Sequence, residues 1–475
     1  MSFIGRIKEK NQLEKAWESQ DAFVLISGQQ HVGKSALIQE FSKDKEVLYF
    51  SAINQSDYLN RQYFKECCMA FCEKESDQRK VFSWKEIINF FVSDKETQER
   101  KVLILDNVHF LIQSNPNFLN ILKNIWRNSL KNNFVMLVVV VPNGKVLQHH
   151  AFRNKSFYNH ITLRIDVQPL KFVEIMKDYA HQEFNQLMML YCIAGGAPRH
   201  WNYFQDCLSK KSFEKVVDEL FFHPYGNLFQ EPGRWIEKEV ENTSIAHSIL
   251  LALSKGNTKS IQISAYSGIK LSKVQKYIDL FQSLQFVKIN NSTIDKKRWN
   301  GKNVDYYIAD PLLDFWYTFV FPFMNNILFE DEYAKLYFEK HFNTYCKRWF
   351  KMIALDIFRV ANQQNSLYYE CDQIGTIRDN SGRTIDVVGI DSQKKYIFLG
   401  DCYFGNLHYT RKQFDEFTQK CAEMKEMKEM KAYKNYKFIY GVCSNMPFEE
   451  ALIDFALLSK NIMLFNGITL YALNA

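Results

Sequence analysis

The sequence predicts a multidomain α/β protein, and three observations predict it. Residues 28–35 read Gly-Gln-Gln-His-Val-Gly-Lys-Ser, a complete G-x-x-x-x-G-K-[ST] phosphate-binding loop set between an apolar run and an amphipathic segment. Apolar runs alternate with helix-period segments around it, the cadence of a doubly wound parallel sheet. At 475 residues the chain is too long for one hydrophobic core, and roughly two to four domains are expected.

The first element is Ala22-Phe23-Val24-Leu25-Ile26, which reads as a buried parallel strand, and Ser35 to Phe41 then shows the i, i+3, i+4 apolar spacing of a helix. The loop therefore sits at a helix N-terminus, where unpaired N–H groups and the positive dipole end attract phosphate oxygens. Glycine at 28 and 33 lets the backbone wrap them without a Cβ clash. Nucleotide contacts are expected from Gly28, Gln29, Gln30, His31, Val32, Gly33, Lys34, Ser35 and Ala36, with Lys34 neutralising the β and γ phosphates and Ser35 ligating magnesium. The cofactors this implies are ATP and Mg2+.

Lys101-Val102-Leu103-Ile104-Leu105-Asp106 supplies the second acidic strand, and Asp106 is the expected second magnesium ligand, directly or through water. Lys34 and Asp106 are thus the candidate catalytic residues. Phe134 to Val141 is an unbroken, β-branched run suited to a central strand covered on both faces. Many P-loop ATPases place a glutamate after the magnesium aspartate to polarise the attacking water; here the residue is Asn107. An amide cannot take a proton, so Asn107 either orients water by hydrogen bonding or leaves the task to another carboxylate.

Composition narrows the class. Hydrophobic content of 47% with 24% charged residues describes a globular chain, not a disordered one. A net charge of +7 permits nucleic-acid contact without requiring it. Ten cysteines without a C-x-x-C pair argue against a zinc site or a disulfide framework and for reduced thiols. The N-terminus has no apolar signal core, and the longest apolar stretch, at 134–141, is far short of the roughly 20 residues of a spanning helix. A cytoplasmic location without a membrane partner is expected.

From Thr243 the pattern changes to short helices. Ile245 to Leu253, Ser260 to Gly268 and Leu271 to Phe281 have the cadence of a helix-turn-helix, and Phe286–Ile289, a turn at Asn290-Asn291-Ser292, and Val304–Ile308 read as the strands of a wing. Lys270, Lys273 and Lys276, with Lys296, Lys297, Arg298 and Lys302 on the wing, make DNA contact physically plausible; a solvated basic hairpin explains the same charge run. An aromatic-rich helical stretch runs from Phe315 to Phe358. Thr384–Ile390 and Lys395–Tyr403 then form an expected hairpin that sets Asp386 across from Asp401. Near the end, Glu423 to Lys431 repeats Glu, Met and Lys every three residues, expected as an exposed helix whose methionines are either a partner face or plain surface.

Phe3-Ile4-Gly5-Arg6, the phosphate loop, Leu105-Asp106-Asn107-Val108-His109, Gln168-Pro169-Leu170-Lys171-Phe172 and Ala194-Gly195-Gly196-Ala197-Pro198-Arg199 together resemble the archaeal-type ATPases, AAA-related P-loop proteins of the signal-transduction (STAND) class. The resemblance implies that Gly5 and Arg6 lie by the adenine and that Gly195, Gly196 and Pro198 belong to a helical lid. It also implies a winged helix and a C-terminal restriction-endonuclease-like domain. The implied division is a P-loop domain at 1–168, a lid at 169–236, a winged helix at 237–325 and the nuclease-like domain at 326–475.

Departures from the family pattern touch catalytic positions. Asp-Glu becomes Asp106-Asn107, the small polar residues after the fourth strand are replaced around Pro142 and Asn143, and Tyr158-Asn159-His160 stands for Tyr-Gly-Arg. In the nuclease-like domain Asp386 and Asp401 remain as a vestigial metal pair, but the usual lysine is Tyr403 and the usual acid of the preceding helix is Lys351. The expected function is an ATP-controlled switch or weak ATPase acting with an unidentified protein or DNA partner. The alternative is a DNA-binding effector with a metal-dependent nuclease-like domain.

Overall fold

The structure is a computed structural model and describes residues 3–19, 21–73, 82–93, 100–142, 155–205, 212–290, 304–364, 366–367, 369–378, 383–425, 430, 433–467 and 469–471. Chain contacts divide it into two compact units. The first holds residues 1–170 with 197–199 and 279–285, and the second holds the rest.

The first unit is a five-stranded parallel sheet in the order β2-β3-β4-β1-β5, built from β1 (Phe23–Gly28), β2 (Glu46–Ser51), β3 (Lys101–Asp106), β4 (Val135–Pro142) and β5 (Leu163–Asp166). Its helices include α1 (Ile7–Glu18), α2 (Lys34–Ser42), α3 (Asp57–Phe71), α4 (Trp84–Ser93), α5 (Val108–Ser114) and α6 (Phe118–Ile125). Successive side chains of a strand point to opposite faces, and the apolar runs accordingly feed two cores. Val24, Ile26, Val102, Ile104, Met136, Val138 and Val140 pack with Leu37 and Phe41 on one face. Phe23, Leu25, Leu103, Leu105, Leu137, Val139 and Val141 pack with Phe50, Trp84 and Phe118 on the other. Burial on both faces is why these strands carry no polar alternation. Phe134 falls outside β4: it takes a left-handed φ of 55° and is 57% exposed, so the strand starts one residue later than the apolar run.

The second unit contains helices at Thr243–Ser254 and Ser260–Ser267 and the antiparallel ribbon of β6 (Val287–Ile289) and β7 (Tyr306–Ile308). Helix Leu271–Ser283 starts in this unit. Gly268 closes the second helix at φ 70°, the αL stop that glycine provides. Lys270, Lys273, Gln275 and Lys276 are exposed, whereas Lys296, Lys297, Arg298, Lys302 and the turn at 291–292 lie outside the described residues. The aromatic stretch is not one helix: it breaks after Phe319 and resumes as the 31-residue helix Tyr333–Gln363. Phe315, Phe319, Phe338, Phe342 and Tyr345 pack between these two helices, mostly edge to face.

The chain ends in a six-stranded mixed sheet of order β13-β12-β11-β10-β9-β8, comprising β8 (Gln373–Arg378), β9 (Thr384–Asp391), β10 (Tyr396–Tyr403), β11 (Lys437–Ser444), β12 (Ile462–Asn466) and β13 (Thr469–Tyr471). β9 and β10 are antiparallel as expected, and β10, β11 and β12 run parallel. The Glu-Met-Lys repeat corrects the expectation of an exposed helix. The helix Arg411–Lys425 ends early in it, and Met424 and Met430 are each 1% exposed within the core of this sheet. Met424 faces inward because Phe417, Cys421 and Met424 fall on one helical face; residues 426–429 and 431 lie outside the described residues.

Candidate nucleotide site

The phosphate loop leaves the C-terminal end of β1 and enters α2, whose first residue is Lys34. A Cβ on Gly28 would stand 2.5 Å from the Val167 carbonyl oxygen, and Gly33 adopts φ 96°, so neither position tolerates a side chain without strain. His31 also takes a positive φ of 67°. Gln29 is buried, and its Nε2 has no hydrogen-bond partner among the described residues. Ser35 and Ala36 are exposed at the helix start.

Lys34 bends back onto its own loop, donating to the Gly28 carbonyl at 2.5 Å and the Gln29 carbonyl at 2.9 Å. Burial lowers its pKa to about 8, against the opposing pull of Asp106 and Asp166. Asp106 ends β3 and accepts from the Tyr49 hydroxyl at 2.7 Å on Oδ2 and from the Asn107 backbone N–H at 2.7 Å on Oδ1. Asn107 itself sits at φ 55°, a left-handed conformation that asparagine tolerates better than most residues, and its Nδ2 donates to Ser51 Oγ at 3.1 Å.

Four features here escaped the sequence reading. Asp166, at the end of β5, accepts from Ser27 at 3.1 Å and adds a second carboxylate near Lys34; only the parallel β1/β5 register, with Ser27 opposite Asp166, reveals it. Tyr49 and Ser51 come from β2, whose register sets Ser51 opposite Asp106. His109 is held neutral, with a pKa lowered to about 4 by burial and by Lys34, and its Nδ1 has no partner among the described residues. Arg199 donates to His31 Nδ1 at 3.0 Å.

Gly5 and Arg6, expected near the adenine, lie beside the phosphate loop. Arg6 is 3% exposed, and its guanidinium donates to the Val32 carbonyl at 2.6 Å and pairs with Glu9 at 3.3 Å, which makes it a strut of the phosphate loop. Gly5 packs on Leu170. Pro198 approaches Gly33, so this proline does border the loop, while Gly195 ends the helix Phe184–Ala194 at φ 63° and faces Pro311. Pro142 pairs with Gly28 at the sheet edge, and Asn143 lies outside the described residues. His160 has its pKa lowered by burial and by the nearby cations Arg127, Lys123 and Lys131.

Asp386 and Asp401 in the C-terminal sheet, expected as a vestigial metal pair, are each bonded to a protein group. Lys351 Nζ pairs with Asp386 Oδ1 at 2.7 Å, and Asp401 accepts from the Tyr409 hydroxyl at 3.1 Å. Burial and the proximity of Asp386 push the Asp401 pKa up. Among the described residues no three His, Cys, Asp or Glu side chains gather as a metal-binding group, the nine described cysteines are free thiols, and no helix is long and apolar enough to cross a membrane.

The chain is similar to known proteins over much of its length. Residues 3–204 match a family described as an ATPase domain predominantly from Archaea, and residues 316–428 match one described as archaeal and bacterial proteins of unknown function. An uncharacterized protein of Methanocaldococcus jannaschii is 25% identical over 407 residues, 84% of this chain and 86% of the relative. The Walker-type ATPase of Pyrococcus abyssi is similar in structure, with a TM-score of 0.51 at 15% identity over 66% of this chain and 96% of its own. The ORC2 protein of Aeropyrum pernix, solved as ADPNP-ADP complexes, covers 69% of this chain and 96% of its own at 15% identity and a TM-score of 0.47. With its loop, acidic strand and parallel sheet in this arrangement, the protein carries an archaeal-type ATPase domain at residues 3–204, followed by a domain from a family of unknown function.

Proposed function

We propose that this protein is an ATP-controlled switch, binding ATP with magnesium at the phosphate loop and hydrolysing it slowly. The observation that carries the reading is the split within one site. The binding groups are poised for a ligand, while the position next to Asp106 holds an amide tied to Ser51. The loop fits a polyphosphate: a Cβ on Gly28 would clash and Gly33 needs a φ of 96°, the buried Gln29 Nε2 lacks a partner among the described residues, and Lys34 spends its ammonium on two loop carbonyls that a phosphate replaces. The donor set of Ser35 and Asp106 suits magnesium, which prefers few protein oxygens plus phosphate.

Bound magnesium would supply charge neutralisation across the β and γ phosphates. The chain's own part is to cradle the phosphates with the N–H groups opening α2 and to counter their charge with Lys34. Neither Asn107 nor neutral His109, with a pKa near 4, is a strong proton acceptor at neutral pH, which favours retention of ATP over turnover. Titration calorimetry with ATP and magnesium, followed by a turnover assay, tests the reading: the expectation is clear binding with turnover well below that of working P-loop motors. Wild-type protein that binds no ATP sinks it.

A further inference from the structure

Asp106 is held by groups that orient it without neutralising it. The Tyr49 hydroxyl donates to one carboxylate oxygen and the Asn107 N–H to the other, both at 2.7 Å. The Asn107 carboxamide then reaches Ser51 Oγ at 3.1 Å. Tyr49 and Ser51 are two residues apart on β2 and so share a face of the strand. The parallel register with β3, pairing Tyr49 with Ile104 and Ser51 with Asp106, carries both hydroxyls to the magnesium aspartate.

A carboxylate held by neutral donors differs in effect from one in an ion pair. It fixes the carboxylate's direction and keeps its negative charge available to a cation. Outer hydrogen-bond partners of metal-binding side chains work this way, and their loss costs about 10- to 100-fold in metal affinity. Tyr49 is 44% exposed on an edge strand, where core packing asks little of it.

We propose that Tyr49 and Ser51 are positioning residues of the magnesium–nucleotide site, and that Asn107 is the brace tying the acid strand to β2 instead of a group acting on the attacking water. The inference rests on the reading of the phosphate loop as an ATP site. It assigns the departure from glutamate at 107 a positive role: the amide donates to Ser51, which a carboxylate cannot do.

The test is titration calorimetry of full-length protein with ATP, once in magnesium and once in EDTA, on wild type, Tyr49→Phe and Ser51→Ala. Tyr49→Phe should cut the magnesium-dependent gain in affinity by about tenfold and leave the affinity in EDTA within about twofold of wild type. Ser51→Ala should lower the same gain by a smaller factor, about threefold, on the same arm only. A Tyr49→Phe protein with the wild-type magnesium gain overturns the proposal, and so does an equal loss in both conditions, which marks general damage to the loop. If Tyr49→Phe does not fold, Ser51→Ala decides by the same comparison. A wild type that binds no ATP in either condition overturns the ATP reading itself and takes the positioning role with it.

Discussion

Two strand edges in this protein each bring an aspartate together with a lysine, one at the end of β3 and one between β9 and β10. At the first, Lys34 is parked on the carbonyls of Gly28 and Gln29, and Asp106 is held by the hydroxyl of Tyr49 and a backbone N–H. At the second, Lys351 is bonded to Asp386 itself, and the neighbouring Asp401 is buried with its pKa pushed up. The difference teaches that residue inventory does not make a ligand site. Opposite charges kept apart by neutral partners remain available to a charged ligand; opposite charges joined to each other satisfy themselves. The same rule separates Asn107, which brings no charge to the neighbouring Asp106, from Lys351, which pairs with Asp386.

The sharpest way to break this contrast is to remove each lysine. Lys34→Ala should weaken ATP binding by about 100-fold, the loss of a charge-assisted contact worth roughly 1.5–3 kcal/mol, as measured by calorimetry. Lys351→Met should leave ATP affinity unchanged and instead lower folding stability by about 1–2 kcal/mol in chemical denaturation, because Asp386 loses its partner; the pair's partial exposure keeps this below the full cost of a buried ion pair. If Lys351→Met weakened ATP binding as strongly as Lys34→Ala, the two edges would not be independent in role.

Asn107→Glu is a finer probe. It places a larger residue at φ 55° and forfeits the bond to Ser51, so stability should fall by about 1 kcal/mol. ATP turnover should rise by about tenfold or more as a water-polarising carboxylate returns; an unchanged rate would show that another element of the site also blocks hydrolysis. The smallest effect is that of pH. Lys34 in the free protein has a pKa near 8 and the phosphates favour its charged form, so binding raises that pKa. ATP affinity should therefore be full below about pH 8 and fall by a few-fold to about tenfold over the next pH unit or so, with proton uptake on binding visible in buffers of different ionisation enthalpy.

Much of the fold was legible because it is written in local patterns. The apolar runs at 22–26, 102–105 and 134–141 announced buried strands, with Ala22 and Phe134 falling just outside them, and Gly28, Gly33, Lys34 and Ser35 declared the loop by spacing alone. Asp106 followed from its place at the end of an apolar run. Tyr49, Ser51 and Asp166 were not legible, since each reaches the site through strand pairing across 57, 55 or 139 residues of chain separation from its partner. The bond of Arg6 to the Val32 carbonyl was hidden for a related reason, since it joins residues 26 apart in the chain. The Glu-Met-Lys repeat misled through its composition, because its charged residues suggested surface although Met424 and Met430 are core.

By itself, the sequence determined that a phosphate loop precedes a helix and that a carboxylate ends a second strand, since these depend on backbone preference and apolar periodicity over a few residues. Only the tertiary structure decided which charges are available. Whether a lysine lies against a carbonyl or a carboxylate depends on which strands and helices pack beside it, and no spacing along the chain encodes that neighbour.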